Sequence, residues 1–255
     1  MTTVTWPVFS NTHPLVSLCD VTAFQLLQHK NRLKQDGYTI FRGLVSVDTL
    51  DTLNQAIDCL NQANLQPVGI ITHPIYWAVV AEMDNIVASI LGEAYVMLPE
   101  TWAWDVPPSK HHKGWAPHRE KVFSTLRSDG MPNSVSLWFP ITAATPENSC
   151  LYVLPACDDP HYPIGPSSFQ VPLQNVRAIP ADPGDVIIFN HNVLHWGSQS
   201  SQWANAGRRS MAYECQVAST PAYNTPVFPA TSMPPLETCR ALYEQLIQQY
   251  AHFNY

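Results

Sequence analysis

Charge is scarce in this chain. Lys, Arg, Asp and Glu make up 13% of its 255 residues, roughly half the share usual in soluble domains. Positive charge is scarcest, with 13 Lys and Arg against 20 Asp and Glu and a formal net charge of −7. No run of Lys or Arg occurs. Nucleic acid and anionic membrane surfaces both need basic patches, so neither is expected as a partner. No apolar stretch reaches the roughly 18 residues that a membrane span needs. The N-terminus lacks the basic start and apolar block of a signal peptide. The expectation is a cytoplasmic protein whose partner is a small molecule. The six cysteines (Cys19, Cys59, Cys150, Cys157, Cys215 and Cys239) contain no Cys-x-x-Cys, which argues against a zinc–thiolate site and a disulfide framework. Cys59, Cys215 and Cys239 lie in apolar periodic segments and are expected to be buried thiols. There is no internal repeat or low-complexity tract.

Proline and aromatic residues are plentiful, with 23 Pro, 8 Trp and 10 Tyr. Long, stiffened loops and an apolar pocket in one sizeable core follow. At this length a single all-β or mixed domain is ordinary. Residues 1–20 have no clear period and read as an arm. Residues 21–92 read as a mainly helical flank. Val21–Gln35 carries Phe24, Leu27 and Leu33, with Thr22 as a cap. A strand follows at Tyr38–Phe41. Ser46 caps a second helix to about Asn61, striped by Leu50, Leu53, Ile57 and Leu60. Tyr76–Leu91 reads as a third helix, stopped by Gly92. Residues 93–217 hold many short strands: Tyr95–Leu98, a stretch around Trp102 and Trp104, Ser134–Ile141, Leu151–Leu154, Asp185–Phe189 and Arg208–Val217. Residues 218–255 form an extension with a helix over Leu236–Tyr250. Helices first and strands later make an α+β pattern without parallel βαβ alternation. A double-sheet jelly roll of the cupin type fits, flanked by N-terminal helices and a C-terminal helix.

The chemistry is concentrated at His118-Arg119-Glu120 and His195. On an extended chain, side chains at i and i+2 share a face, so His118 and Glu120 can bind one ion side by side. Two His and one carboxylate on one face of iron leave positions open, the facial triad of non-heme Fe(II) oxygenases. Ten histidines and twenty acidic residues make such a triplet common by chance, so its surroundings matter. His111 and His112 are adjacent and point apart on an extended chain. They read as loop residues near a pocket mouth. His191, four residues before His195, reads as a neighbour of the centre or a surface residue.

Four stretches, in order, resemble the phytanoyl-CoA dioxygenase family of Fe(II)/2-oxoglutarate-dependent oxygenases. They are Asp36-Gly37-Tyr38-Thr39-Ile40-Phe41-Arg42-Gly43-Leu44; His118-Arg119-Glu120; Trp138 through Pro155, including Glu147-Asn148-Ser149; and Gly184-Asp185 through His195, Ser198 and Arg208-Arg209. Four features depart from the family pattern: Glu120 where Asp is commoner, Ser149 in place of Gly, Trp196 inserted before Gly197-Ser198, and a gap of 13 from His195 to Arg208 that is slightly longer than usual and leaves Arg208 and Arg209 both open.

The resemblance implies that His118, Glu120 and His195 are catalytic metal ligands for Fe(II), with 2-oxoglutarate and O2 as cosubstrates. An Arg would hold the far carboxylate of 2-oxoglutarate, as a planar bidentate cation does well. Arg208 is favoured, Arg209 is the alternate, and they face opposite sides of a strand. Ser198 or Ser210 would add a hydroxyl, and Trp138 would lie beside the cosubstrate. Apart from the resemblance, Trp102, Trp104, Trp115 and His111 lie just before the metal motif and are expected to line the substrate entrance. The implied activity is oxidation, in the first instance hydroxylation, of a C–H bond in a specialised metabolite or amino-acid derivative. Family halogenases lack the carboxylate ligand, so Glu120 argues against halogenation. The ligand set also admits a cupin-like metalloenzyme without 2-oxoglutarate, in which neither arginine has a role, and a non-catalytic binding jelly roll without metal.

Overall fold

Hydroxyl side chains start the first two helices. The computed structural model describes residues 5–9, 16–112, 114–166 and 170–251. In α1 (Ala23–Asp36), Thr22 Oγ1 accepts from the Gln25 N–H while Gln25 Oε1 accepts from the Thr22 N–H, a closed capping box. Ser46 caps α2 (Val47–Gln62) by accepting from the Thr49 N–H. Gly37 ends α1 at φ 80° and turns the chain into β1 (Tyr38–Phe41). The single third helix expected from the pattern is two, α3 (Pro74–Glu82) and α4 (Asp84–Leu91), bent by 46°. The break is Met83, whose ψ of −6° departs from the roughly −42° that continues a helix.

The strands form two antiparallel sheets. The larger has the order β1-β6-β3-β8-β2, with β2 (Tyr95–Val106), β3 (Ser134–Pro140), β6 (Val186–Asn190) and β8 (Arg208–Val217). The smaller has the order β5-β4-β7, with β4 (Leu151–Leu154), β5 (Arg177–Ile179) and β7 (Leu194–Gly197). This is the jelly-roll core with flanking helices, closed by α5 (Leu236–Gln249). The two segments expected around Tyr95 and Trp102 are one strand, β2, bulged between Met97 and Thr101.

All seven residues of β3 are buried because both faces of the large sheet are covered. The face carrying Phe139 and Tyr213 packs under the helices: Phe139 stacks on Tyr213 at 5.7 Å, and Tyr213 meets Tyr76 of α3 edge-on at 6.3 Å. The other face carries Ser136, Trp138, Ala212 and Glu214 toward the small sheet, and a cavity lies there.

Two expectations fail on solvent exposure. Phe24 and Leu27 are 68% and 55% exposed, because α1 meets the core through Leu33 and the partly buried Leu26 instead. Cys59 is exposed, since Leu50, Leu53, Ile57 and Leu60 define the buried face of α2 and position 59 lies off it. Cys215 and Cys239 are buried as expected, and all six cysteines are free. Among the described residues no single helix is long and apolar enough to cross a membrane.

Candidate metal centre

Backbone pairing places the two histidines. The His118 N–H donates to the His195 carbonyl and the His195 N–H donates to the His118 carbonyl, each at 3.0 Å. Three residues on, the Lys121 N–H donates to the His191 carbonyl at 3.0 Å. Residues 118–121 therefore run antiparallel to 191–195, although only His118 forms a bridge and no strand is made. The extended alternation still holds. His118 and Glu120 face the cavity. Arg119 turns the other way, into a buried ion pair with Asp159 at 2.7 Å and a hydrogen bond to the Asn192 carbonyl at 2.6 Å.

Glycine lets this segment lie close to β7. A Cβ on Gly114 would stand 2.5 Å from the Gly197 Cα, and one on Gly197 would stand 2.6 Å from the Gly114 Cα. The Gly197 N–H donates to the Trp115 carbonyl and the Gly114 N–H donates to the Ser198 carbonyl. The sequence assigned Gly114 no role; a glycine four residues before His118 was the available signal.

The imidazoles are fixed by their outer nitrogens. His118 Nδ1 lies 2.7 Å from the Ala116 carbonyl and His195 Nδ1 lies 3.1 Å from the Val193 carbonyl. A carbonyl only accepts, so each Nδ1 carries the proton and each Nε2 presents a lone pair. Both Nε2 atoms point at Glu120 Oε1, at 3.6 Å from His118 and 3.3 Å from His195. One ligand atom from each of the three residues lies within 4.8 Å of the others. His118 Nε2 is buried and has no hydrogen-bond partner. Three acceptors converge with no donor among them, and a metal cation fits that set. Burial pushes the Glu120 carboxyl up, but the two imidazoles facing it outweigh this and hold the group well below the ordinary carboxylate range. Burial, followed by the proximity of His118, lowers His195. His118 rises because Glu120 outweighs its burial.

A partly open cavity adjoins the three residues. Trp102, Trp104, Trp115 and Trp138 all line it. His111 does not. It is exposed on a turn where its N–H donates to Ser109 Oγ, so the loop carries its ring to solvent instead of the pocket mouth. Tyr250, at the end of α5, also lines the cavity and lies 4.9 Å from both Trp102 and Trp115. The length of loop before α5 hid that placement from the sequence.

The two arginines separate. Arg208 is 2% exposed, lines the cavity and donates to Ser210 Oγ and, at 3.4 Å, to Ser149 Oγ. Its guanidinium lies 5.7 Å and 5.6 Å from the rings of Trp104 and Trp138. Arg209 points outward to Asp58 at 2.7 Å and Asp105 at 3.2 Å. Ser210 thus touches Arg208, whereas Ser198 meets the site through its backbone, its carbonyl accepting from Ser149 Oγ. Ser149 has φ 75°, the left-handed backbone that glycine adopts freely; its hydroxyl is what reaches Arg208.

Two acidic residues stand beyond the ligand set. Glu214 is buried next to His191, with 3.4 Å between Oε2 and Nε2. Burial pushes its carboxyl well up, and the neighbouring Glu120 and Glu100 add to this. His191 is fully buried, and burial brings it down to about 3, so it is neutral and outside the ligand set.

Comparison with known proteins gives the family and the fold. The model of the phytanoyl-CoA dioxygenase (PhyH) family matches residues 68–206. The dioxygenase LolE1 of Epichloe uncinata is 27% identical over 115 residues, 44% of this chain and 43% of that protein; the match thus spans less than half the relative's length. Two solved structures share the fold. The non-heme alpha-ketoglutarate-dependent carbocyclase SnoK from nogalamycin biosynthesis superposes with a TM-score of 0.59 at 13% identity, covering 75% of this chain and 83% of SnoK. HygX from Streptomyces hygroscopicus, with nickel and 2-oxoglutarate bound, gives 0.58 at 11% identity, covering 78% and 88%.

Proposed function

The chain belongs to the phytanoyl-CoA dioxygenase family, and on that premise we propose that it is an Fe(II)/2-oxoglutarate-dependent oxygenase that hydroxylates a C–H bond of a small organic molecule. The observation that carries this reading is the convergence of two Nε2 lone pairs and one carboxylate oxygen at the cavity wall, with both Nδ1 atoms committed to backbone carbonyls. His118, Glu120 and His195 would hold ferrous iron. When bound, the iron supplies oxygen activation coupled to decarboxylation of 2-oxoglutarate, for an overall balance of R–H + 2-oxoglutarate + O2 giving R–OH + succinate + CO2.

The chain's own groups do the rest. Arg208 receives the far carboxylate of 2-oxoglutarate through its guanidinium fork, and Ser149 and Ser210 hold that fork in place. Trp138 and Trp104 flank it and keep water from the ion pair, which strengthens the pair in the lower local dielectric. Trp102, Trp115 and Tyr250 form the apolar wall against which the substrate's body rests. The Ala116 and Val193 carbonyls keep the imidazole tautomers that ligation needs. Glu120 occupies the carboxylate position, which sets this centre apart from a halogenase.

The test is anaerobic ultraviolet–visible titration of the apoprotein with Fe(II) and then 2-oxoglutarate. A weak visible band from bidentate keto-acid binding is expected in the wild type, absent in His118→Ala and weakened in Arg208→Ala. Iron binding without the band would remove 2-oxoglutarate from the reading, and no iron binding would remove the metal centre itself.

A further inference from the structure

One end of the cavity is acidic, and Glu100 and Glu214 there lie outside the His118, Glu120 and His195 set. On β2 the residues Glu100, Trp102 and Trp104 alternate along the cavity wall; on β8 the residues Arg208, Ala212 and Glu214 do the same. Arg208 and Glu214 thus mark opposite ends of the inner face of β8, roughly 20 Å apart along a strand of ~3.3 Å rise. Positive charge stands at one end and carboxyl groups at the other.

The acidic end has too few donors of its own. Glu100 Oε1 accepts from Asn224 Nδ2 at 2.8 Å and lies 4.0 Å from Lys121 Nζ, while Glu100 Oε2 is buried without a partner. Lys121 is one ammonium beside two carboxyl groups. Glu214 has the His191 ring behind it, Glu120 within hydrogen-bonding reach beside it and the cavity before it. Directly across the sheet register from Glu214 is Ser136, 3% exposed, lining the same cavity, its Oγ buried with no hydrogen-bond partner. A buried hydroxyl and carboxyl oxygen left without partners cost free energy; a ligand that brings hydrogen-bond donors and positive charge relieves both. The adjoining wall is aromatic, and indole and phenol faces attract cations.

We propose that the substrate of this site carries an organic ammonium group on an apolar body, with the ammonium held by the Glu100 carboxylate, Glu214 accepting a hydrogen bond from it, and the body against Trp102, Trp115 and Tyr250. This deepens the oxygenase reading and rests on it for what happens to the substrate, but the recognition itself needs neither iron nor oxygen. It makes Glu100 and Glu214 specificity-determining residues.

The experiment is equilibrium binding to the metal-free full chain by tryptophan fluorescence, with three probes of matched size: phenethylammonium, 2-phenylethanol and 3-phenylpropionate. The ammonium is expected to bind at least about tenfold more tightly than the alcohol, with the carboxylate weakest. Glu214→Gln and Glu100→Gln should each cut the ammonium's advantage several-fold while leaving the alcohol's affinity unchanged; if the buried Glu214 variant fails to fold, the Glu100 variant decides. Equal affinities, tighter binding of the carboxylate through Lys121, or no binding of any probe at millimolar concentration would each overturn the proposal. The iron and 2-oxoglutarate titration is independent of it. A visible band without ammonium preference leaves the oxygenase standing and removes the acidic subsite, and the reverse result does the opposite.

Discussion

Arg208 and Arg209 differ by one position and by a face of the sheet. Arg208 is buried against the rings of Trp104 and Trp138, while Arg209 pairs with Asp58 and Asp105 at the surface. Replacing Arg208 with Ala should weaken 2-oxoglutarate binding about a hundredfold, since a bidentate charge-assisted contact is worth about 2–3 kcal/mol. Arg209→Ala should change it less than about twofold and cost at most about 1 kcal/mol of stability, as surface ion pairs do. The titration of the visible band separates them; equal losses would assign the clamp to neither. Ser149 is a subtler case. Its φ of 75° costs a non-glycine residue of order 1 kcal/mol, and its hydroxyl touches both Arg208 and the Ser198 carbonyl. Ser149→Gly should therefore hold or raise the melting temperature while loosening 2-oxoglutarate several-fold. A drop in both would mean that the hydroxyl matters more to folding than the strain.

Among the elements, β7 and the 114–121 segment bring the candidate ligands together. Gly197→Ala puts a methyl group 2.6 Å from the Gly114 Cα, where backbone must move. It should lower iron affinity more than about tenfold and stability by about 1–3 kcal/mol, read by the visible band and by denaturant unfolding; unchanged iron binding would show that the two segments can part without moving His118. Helix α3 offers a second test. Its cap is His73, whose Nδ1 accepts from the Ile75 N–H at 3.0 Å. Burial brings His73 down to about 4, so the unfolded chain, with a value of about 6.5, takes up the proton first. The stabilisation is complete above pH 6.5 and is lost as pH falls toward 4. Its size is roughly 1–2 kcal/mol after allowing for the ring's partial exposure. His73→Asn keeps a capping side chain and should flatten that part of the pH–stability curve; an unchanged slope would place the titration elsewhere. The helices that open with a hydroxyl cap, and the strands bounded by Gly, Pro and Asp, were legible in the sequence because local chemistry determines them. The bend at Met83, the bulge in β2 and the outward turn of Phe24 and Leu27 were not, because each follows from what packs beside it.

The whole molecule brings its chemistry together from both sheets. His195 stands on β7 of the small sheet and Arg208 on β8 of the large one, and His118 and Glu120 come from the loop between β2 and β3. The candidate ligands could be read from the motifs, but which of Arg208 and Arg209 faces the cavity could not. Strand parity says only that they part; what lies on each face is tertiary. The same holds for Glu100, Glu214 and Tyr250, which join the cavity from three distant stretches of chain. This layout has a thermodynamic consequence. A metal held by His118, Glu120 and His195, with 2-oxoglutarate reaching from it to Arg208, ties the two sheets to each other. A ligand at a hundred times its dissociation constant adds about 2.7 kcal/mol, a rise of about 5–10 °C in melting temperature for a chain of this size. Iron alone should stabilise through the loop and β7, and 2-oxoglutarate should add its increment only when iron is present. Arg208→Ala should keep the first increment and lose the second, and Glu120→Ala should lose both. Were 2-oxoglutarate to stabilise the metal-free chain as strongly as the loaded one, it would be binding as a simple dianion at Arg208, and the coupling between the sheets would not run through the metal.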